Sequence, residues 1–86
     1  MPVQFSRRFI RQYAKLPRAI QREVDKALRL LDADFRHPGL RSHPLEGFVD
    51  IFEAYVDAKY RMTFQRQGDV LLMRNVDNHD ECIESP

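Results

Sequence analysis

The sequence is poor in the residues that define several large protein classes. Its 86 residues contain one cysteine, no tryptophan and three glycines. The single cysteine, Cys82, cannot form an intramolecular disulfide, and no second cysteine supports a metal site. The chain also lacks the glycine-rich phosphate loop, the dinucleotide-binding fingerprint, the nucleophile elbow and the zinc-ligand spacings of common enzyme classes. We therefore expect neither a metal nor a cofactor.

Long apolar runs are also missing. No run approaches the roughly 18 apolar residues of a membrane-spanning helix, and the N-terminus lacks the apolar segment of a secretory signal peptide. The composition, 43% hydrophobic and 31% charged, is that of an ordinary globular protein. These features predict one globular domain over residues 1–86, located in the cytoplasm.

The charge is unevenly distributed, although the formal net charge is only +1. Residues 1–41 hold ten Lys or Arg and four Asp or Glu, whereas residues 42–86 hold four and nine. A basic half indicates a polyanionic or acidic partner. The signal is weak, because folding can intermix the two halves.

The first half of the chain predicts a helix hairpin. Ser6 is a suitable N-cap, and Phe9, Ile10, Tyr13 and Leu16 follow at the spacing of one helix face. Pro17 ends this helix and can open the next, which we expect over residues 17–33. Opposite its apolar side runs a basic stripe, defined as Arg18, Arg22, Lys26 and Arg29. The stripe is either a solvated outer face or a docking surface for nucleic acid or an acidic partner.

The second half predicts strands. A possible edge strand over residues 2–5 comes before the helices, and a short strand over residues 40–45 comes after them. Residues 50–57, 60–65 and 70–76 then alternate or run apolar between two short turns. The fold class is therefore α+β, with an N-terminal helix hairpin packed on a small, mainly antiparallel sheet. Alternation predicts Glu53, Tyr55 and Arg61 on the face away from the helices, which we expect to be open.

Several polar side chains of this half could act on a phosphodiester. Cleavage of RNA by its own 2′-hydroxyl needs a base, an acid and fixed positive charge for the transition state. Histidine suits either proton role, and arginine suits the phosphate. The candidates are Arg41, His43, Glu53, Tyr55, Lys59, Arg61, Arg74, His79 and Asp80. Each also has a structural interpretation: Arg61 paired with Glu53 or Asp57, His79 and Asp80 in a turn, His43 solvated, and Tyr55 covering apolar surface.

Nearly the whole chain resembles the RelE/ParE toxin superfamily. The helical half carries FIRQYAKLPRAIQREVDKALRLL and RHPGLRSHPLEG, and the sheet half carries DIFEAYVDAKYRMTFQ and LLMRNVDNHDE. The most specific phrases are Leu45-Glu46-Gly47, Asp57 with Tyr60-Arg61, and the segment from Asn75 to Asp80. They are most similar to the RelE- or YafQ-like branch, in which a histidine-containing phrase follows the last strand.

This resemblance implies a microbial-RNase-like fold and the toxin of a type II toxin–antitoxin system. It implies metal-independent cleavage of mRNA on the ribosome and silencing by a small antitoxin. By position, Arg61 matches the arginine that binds the scissile phosphate and His79 the C-terminal acid–base group. His43 lies near a further catalytic position, and Glu53 is a weaker match.

The resulting assignments are as follows. The catalytic residues are His79, Arg61, His43 and Glu53, the phosphate-binding residues are Arg41, Lys59, Arg61 and Arg74, and Tyr55 is the base-stacking residue. Two alternatives remain open at this point. One is a ParE-like inhibitor of DNA gyrase, and the other is a catalytically silent member that only binds a partner.

Overall fold

The computed structural model of the chain describes residues 1–84 and 86. Its elements are β1 (Val3–Phe5), α1 (Arg7–Ala14), α2 (Arg18–Ala33), a 3₁₀ helix (Pro38–Leu40), β2 (His43–Pro44), β3 (Ile51–Tyr55), β4 (Tyr60–Gln67), β5 (Val70–Asn78) and α3 (His79–Glu84). Among these described residues, no helix is long and apolar enough to cross a membrane.

The helix hairpin forms as predicted. The hydroxyl of Ser6 accepts a hydrogen bond from the backbone N–H of Phe9 and so caps α1. Pro17 precedes α2, whose face toward the sheet buries Val24, Ala27 and Leu31. The four residues of the basic stripe are all exposed, in agreement with a solvated outer face. One detail of the predicted α1 face is wrong, because Ile10 is 56% exposed.

The five strands form one sheet in the order β1-β5-β4-β3-β2. β1 runs parallel to β5, and the other neighbouring pairs are antiparallel. The α+β architecture of the prediction is therefore confirmed. The strand predicted over residues 40–45 is largely wrong, since a 3₁₀ helix occupies Pro38–Leu40 and only His43–Pro44 pair with β3. Arg41 adopts the left-handed conformation, with φ of 49°, which ends the 3₁₀ helix and redirects the chain into β2.

The hydrophobic core lies between α1, α2 and one face of the sheet. Phe64 of β4 is fully buried, and its ring stacks on that of Phe52 in β3 with centroids 5.4 Å apart. Phe35, just after α2, meets both rings edge-on. Phe9 from α1 is also buried in this core. Burial of these aromatic rings holds the helices against this face and supplies much of its packing energy.

The opposite face of the sheet was predicted to be open. That prediction is wrong where α3 covers the face, over β4 and β5. Helix α3 follows β5 and packs on β4 and β5. The Asn75 side-chain amide donates to the carbonyl oxygen of Cys82, and the Cys82 thiol lies 3.4 Å from the carbonyl oxygen of Arg61. Thr63 and Asn75 are fully buried as a result. These polar side chains are accommodated because their hydrogen bonds to backbone carbonyls offset the loss of water.

The buried thiol of Cys82 predicts a pH dependence of stability. Burial, with a smaller contribution from the Glu53 carboxylate, raises the pKa of Cys82 from 9.0 to about 12. The contribution of this group to the free energy of unfolding is complete below pH 9 and is lost as pH rises toward about 12. Denaturant titrations should therefore show a steeper loss of stability in the wild type than in Cys82→Ala, by up to about 1.4 kcal/mol per pH unit. Equal slopes in the two proteins would contradict this expectation.

Candidate functional site

Two rows of polar side chains cross the sheet on the face that α3 shares. Neighbouring positions in the strand registers lie side by side on one face. The first row is Tyr55, Arg61 and Asp77, and the second row is His43, Glu53, Thr63 and Asn75. α3 covers Thr63 and Asn75. The accessible part of this face is therefore the end near Tyr55, Arg61 and His43.

Tyr55 brings two arginines together. The guanidinium carbon of Arg41 lies 4.5 Å from the centroid of the Tyr55 ring, and that of Arg61 lies 4.6 Å from it. Both distances are within the range of a cation–π interaction. Arg41 follows the 3₁₀ helix and Arg61 belongs to β4, so the Tyr55 ring is the side chain that both guanidinium groups contact. The assignment of Tyr55 to base stacking stays a prediction, and its ring already contacts these two cations.

Arg61 is also held by the β3–β4 turn. Its Nη1 donates to the carbonyl oxygens of Asp57 and Tyr60. The Asp57 carboxylate has another use, since it accepts from the backbone N–H groups of Lys59 and Tyr60, both at 2.8 Å. Arg61 is therefore anchored by backbone carbonyls, while the alternative of a carboxylate pair with Asp57 does not describe the structure.

His43 and Glu53 form the second feature of the accessible end. His43 Nε2 lies 3.6 Å from Glu53 Oε1, and His43 Nδ1 lies 3.1 Å from the carbonyl oxygen of Arg41. A carbonyl oxygen only accepts, so Nδ1 carries the proton of the neutral ring and Nε2 has a free lone pair. Glu53 is 4% exposed, and its Oε2 has no hydrogen-bond partner among the described residues. An imidazole with a free lone pair beside a carboxylate is a candidate proton acceptor.

The remaining predicted residues lie farther from this end. The Arg74 side chain lies along the sheet, where its Nε donates to the backbone carbonyl oxygen of Pro86 and its Nη1 to Oε1 of Gln65. Lys59 and His79 meet where β4 begins and α3 starts, through a 2.8 Å bond from the His79 N–H to the Lys59 carbonyl oxygen. Both side chains are exposed. The structure thus gathers Arg41, His43, Glu53, Tyr55 and Arg61, with Lys59 and His79 at the rim.

Sequence reasoning missed Asp77, the neighbour of Arg61 on β5. The register shifts between β4 and β5 at Thr63 and Phe64, where Arg74 is an extra residue in β5. This bulge places Arg74 and Asn75 on the same face, against simple alternation. Asp77 then falls beside Arg61. The polar residues that follow Met73 were the available signal, but alternation that starts from Met73 gives the wrong face for every residue of β5 after Arg74.

The sequence matches no protein-family model and no curated protein sequence. Its structure is similar to several solved ones. A chain of the RelB–RelE antitoxin–toxin complex from Methanococcus jannaschii has a TM-score of 0.77 and 14% identity over 95% of this chain and 98% of that one. A chain of the intact E. coli RelBE toxin–antitoxin complex has a TM-score of 0.73 and 19% identity over 90% and 94%.

YafQ from E. coli strain BL21(DE3) has a TM-score of 0.73 and 14% identity over 92% of this chain and 93% of its own. At such identities the likeness establishes the fold. The chain therefore has the RelE/YafQ-like toxin fold, as the sequence resemblance predicted.

The contacts of Tyr55 predict how its variants behave. Tyr55→Phe keeps the ring face and should leave both guanidinium groups in place, whereas Tyr55→Leu removes a cation–π contact worth about 0.5–1 kcal/mol at an exposed site. The Nε–H protons of Arg41 and Arg61 should exchange with water several-fold faster in Tyr55→Leu than in Tyr55→Phe, as measured by NMR. Identical exchange rates in the two variants would show that the ring does not hold the arginines.

Proposed function

We propose that the chain is the toxin of a type II toxin–antitoxin pair and acts as a metal-independent mRNA endoribonuclease on the ribosome. The observation that carries this proposal is the accessible end of the sheet face, where two arginines lie beside a histidine–carboxylate pair. This combination supplies fixed positive charge and a proton acceptor, the two requirements for attack of a 2′-hydroxyl on its own phosphodiester. The similarity to RelE and YafQ structures supports the same reading.

The first step falls to the His43–Glu53 pair. In the tautomer that the Arg41 carbonyl favours, Nε2 of His43 takes the proton of the 2′-hydroxyl. The imidazolium that results faces the Glu53 carboxylate, whose charge stabilises it. Glu53 is the alternative base, but its Oε2 is buried, so a 2′-hydroxyl reaches that oxygen only after neighbouring side chains move.

Arg61 and Arg41 act as the phosphate clamp. Charge builds on the non-bridging oxygens as the 2′-oxygen attacks phosphorus, and a planar guanidinium binds these oxygens through two parallel hydrogen bonds. Tyr55 and the backbone carbonyls of the β3–β4 turn hold Arg61 before the substrate arrives. Such preorganised charge costs no rearrangement during the reaction.

His79 is the proposed general acid. Its exposed ring lies at the start of α3, at the same end of β4 as Arg61, where it can protonate the departing 5′-oxygen. Lys59, whose carbonyl oxygen holds the His79 backbone, adds positive charge for the RNA strand. Arg74 can bind a phosphate only if the RNA strand is long enough to extend past α3.

A small antitoxin is the proposed protein partner. The solved relatives include toxin–antitoxin complexes, with RelB and with DinJ. On this chain, an apolar groove of about 230 Å³ lies between α1, α2 and β1, lined by Phe5, Phe9, Ile10, Tyr13, Asp25 and Leu28. Phe5 and Ile10 are 44% and 56% exposed there. An apolar segment of the antitoxin would bury these side chains, which is the usual role of such exposed surface.

Induced expression in a bacterial host tests the nuclease. The wild type should arrest growth and cut mRNA, as mapped by primer extension. Arg61→Ala and His79→Ala should restore growth, since removing one group that stabilises transition-state charge typically lowers a rate about 10²–10³-fold. Arg29→Ala removes an arginine of the exposed basic stripe and serves as the matched control that keeps the arrest.

Growth arrest with intact mRNA would contradict the proposal. Arrest accompanied by DNA-damage signalling and unaffected by His79→Ala would instead identify a gyrase inhibitor. Absence of both arrest and cleavage, in a protein shown to be expressed and folded, would overturn the nuclease and leave the catalytically silent alternative.

Two further variants separate the candidate bases. If His43 is the base and Glu53 its partner, His43→Ala should lower single-turnover mRNA cleavage about 10²–10⁴-fold. Glu53→Gln keeps the shape of the side chain and should cost only about tenfold, because the imidazole still accepts the proton. The reverse order, with Glu53→Gln more damaging than His43→Ala, would assign the base to Glu53.

A further inference from the structure

We infer that a cavity beside the arginine clamp is a binding pocket for one unpaired base of the RNA strand. This inference deepens the proposed nuclease function and rests on it for the identity of the ligand. The cavity, here called the base pocket, measures about 350 Å³ and lies between α2, the 3₁₀ helix and the end of β3. This volume is at the lower end for small-molecule sites.

The base pocket has an apolar floor and a polar rim. Ala27, Leu40 and Val56 are buried and form the floor. Lys26 and His37 are exposed at the rim. A nucleobase has the matching chemistry, since its two faces are apolar enough to be buried and its edge carries hydrogen-bonding groups. Stacking and burial of a base suit a floor of this kind for any of the four bases, and the rim groups supply the selection among them.

His37 presents a hydrogen-bond donor at this rim. Its Nδ1 accepts a hydrogen bond from the backbone N–H of Gly39 at 3.0 Å. In the neutral ring the proton is therefore on Nε2. A methyl group at position 39 would come within 3.1 Å of Nδ1, so the glycine permits this close approach of ring and backbone. Together with the ammonium group of Lys26, Nε2–H can donate to a ring nitrogen or carbonyl oxygen of a base.

Glu23 adds a negatively charged acceptor to this rim. Its side chain is exposed and lines the same pocket. A carboxylate accepts from the exocyclic amino groups of adenine, cytosine or guanine, whereas the only donor of an unpaired uracil is its ring N3–H. The rim therefore favours a base that carries an amino group over uracil.

The base pocket adjoins the clamp at two residues, Tyr55 and Arg41. Tyr55 lines the pocket and also contacts both guanidinium groups. The 3₁₀ helix that contributes Gly39 and Leu40 ends at Arg41. β2 pairs with β3 at Phe52 and Glu53, and the pocket lies just beyond this ladder, alongside Tyr55 and Val56. The clamp lies on the face that α3 shares, whereas the pocket opens on the side of α2. A strand whose phosphate is bound by Arg41 or Arg61 therefore reaches the pocket around this end of β3, which β2 does not cover.

The test uses binding, so that it does not depend on cleavage. The probe is a set of short single-stranded RNAs in which fluorine replaces every 2′-hydroxyl, which removes the nucleophile. Titration into isotopically labelled wild-type protein should shift the methyl signals of Leu30, Leu40 and Val56 together with the Nε–H signals of Arg41 and Arg61. An abasic residue at one position of the RNA should abolish the methyl shifts and weaken binding about tenfold, near the low end of the effect of losing one stacked base.

Two variants and one control sharpen this experiment. His37→Asn retains an oxygen that can accept from the Gly39 N–H but lacks Nε2–H, and Leu30→Trp fills the pocket. Each should weaken binding of the intact RNA about tenfold and should lose most of its sensitivity to the abasic position. Lys26→Met should weaken binding more than Arg29→Met, which removes a comparable charge from α2 outside the pocket. Thermal unfolding and the amide spectrum verify that each variant is folded.

The outcomes distinguish the pocket from the nuclease. Shifts at the arginines without shifts at the three methyl groups, or unchanged abasic sensitivity in folded His37→Asn and Leu30→Trp, would overturn the base pocket while leaving the nuclease intact. Filling of the pocket by RNA, in a protein that cuts no mRNA, would support the pocket and overturn the nuclease. No shifts at any site would overturn the base pocket outright.

Discussion

The register between β3 and β4 is the constraint on which the rest of this molecule depends. On one face it stacks Phe52 on Phe64, under α2, and on the other it places Tyr55 beside Arg61. Successive side chains of a strand point to opposite faces, so a slip by one residue would exchange these sets and bury Arg61 in the core. Because burial of a guanidinium without a partner is far costlier than loss of one aromatic contact, the apolar face determines the register. The position of the candidate site on the other face follows from it.

The two faces of the sheet are covered in different ways. The first carries a broad apolar core under α1 and α2, whereas the second carries polar side chains that α3 covers through backbone carbonyls. This cover is partial. It buries Thr63 and Asn75 and leaves the end of the sheet with Tyr55 and His43 accessible. Helix α3 thereby confines the accessible polar surface to the region where the two arginines meet the histidine–carboxylate pair.

The segment between α2 and β3 contributes more to this region than its length suggests. This segment, which contains a 3₁₀ helix and a two-residue strand, supplies Arg41 to the proposed clamp, His43 as the proposed proton acceptor, and His37 to the proposed base pocket. The left-handed backbone conformation of Arg41 redirects the chain from the 3₁₀ helix into β2. Its carbonyl oxygen lies 3.1 Å from Nδ1 of His43, so the residue proposed to bind phosphate also sets the tautomer of the neighbouring ring.

The sequence by itself determined the helix hairpin, the three long strands and the faces of Glu53, Tyr55 and Arg61, because these features depend on local periodicity and on turn residues. It also carried the resemblance that the structural neighbours bear out as a fold. Only the tertiary structure decided the cover by α3, the bulge at Arg74 and the meeting of Arg41 with Tyr55. These features depend on contacts between residues far apart in the chain, whose hydrogen bonds and ring contacts leave no periodic pattern in the sequence. The bulge, above all, reverses the alternation from which the faces of side chains are predicted. The position of Asp77 beside Arg61 is therefore evident only from the strand register.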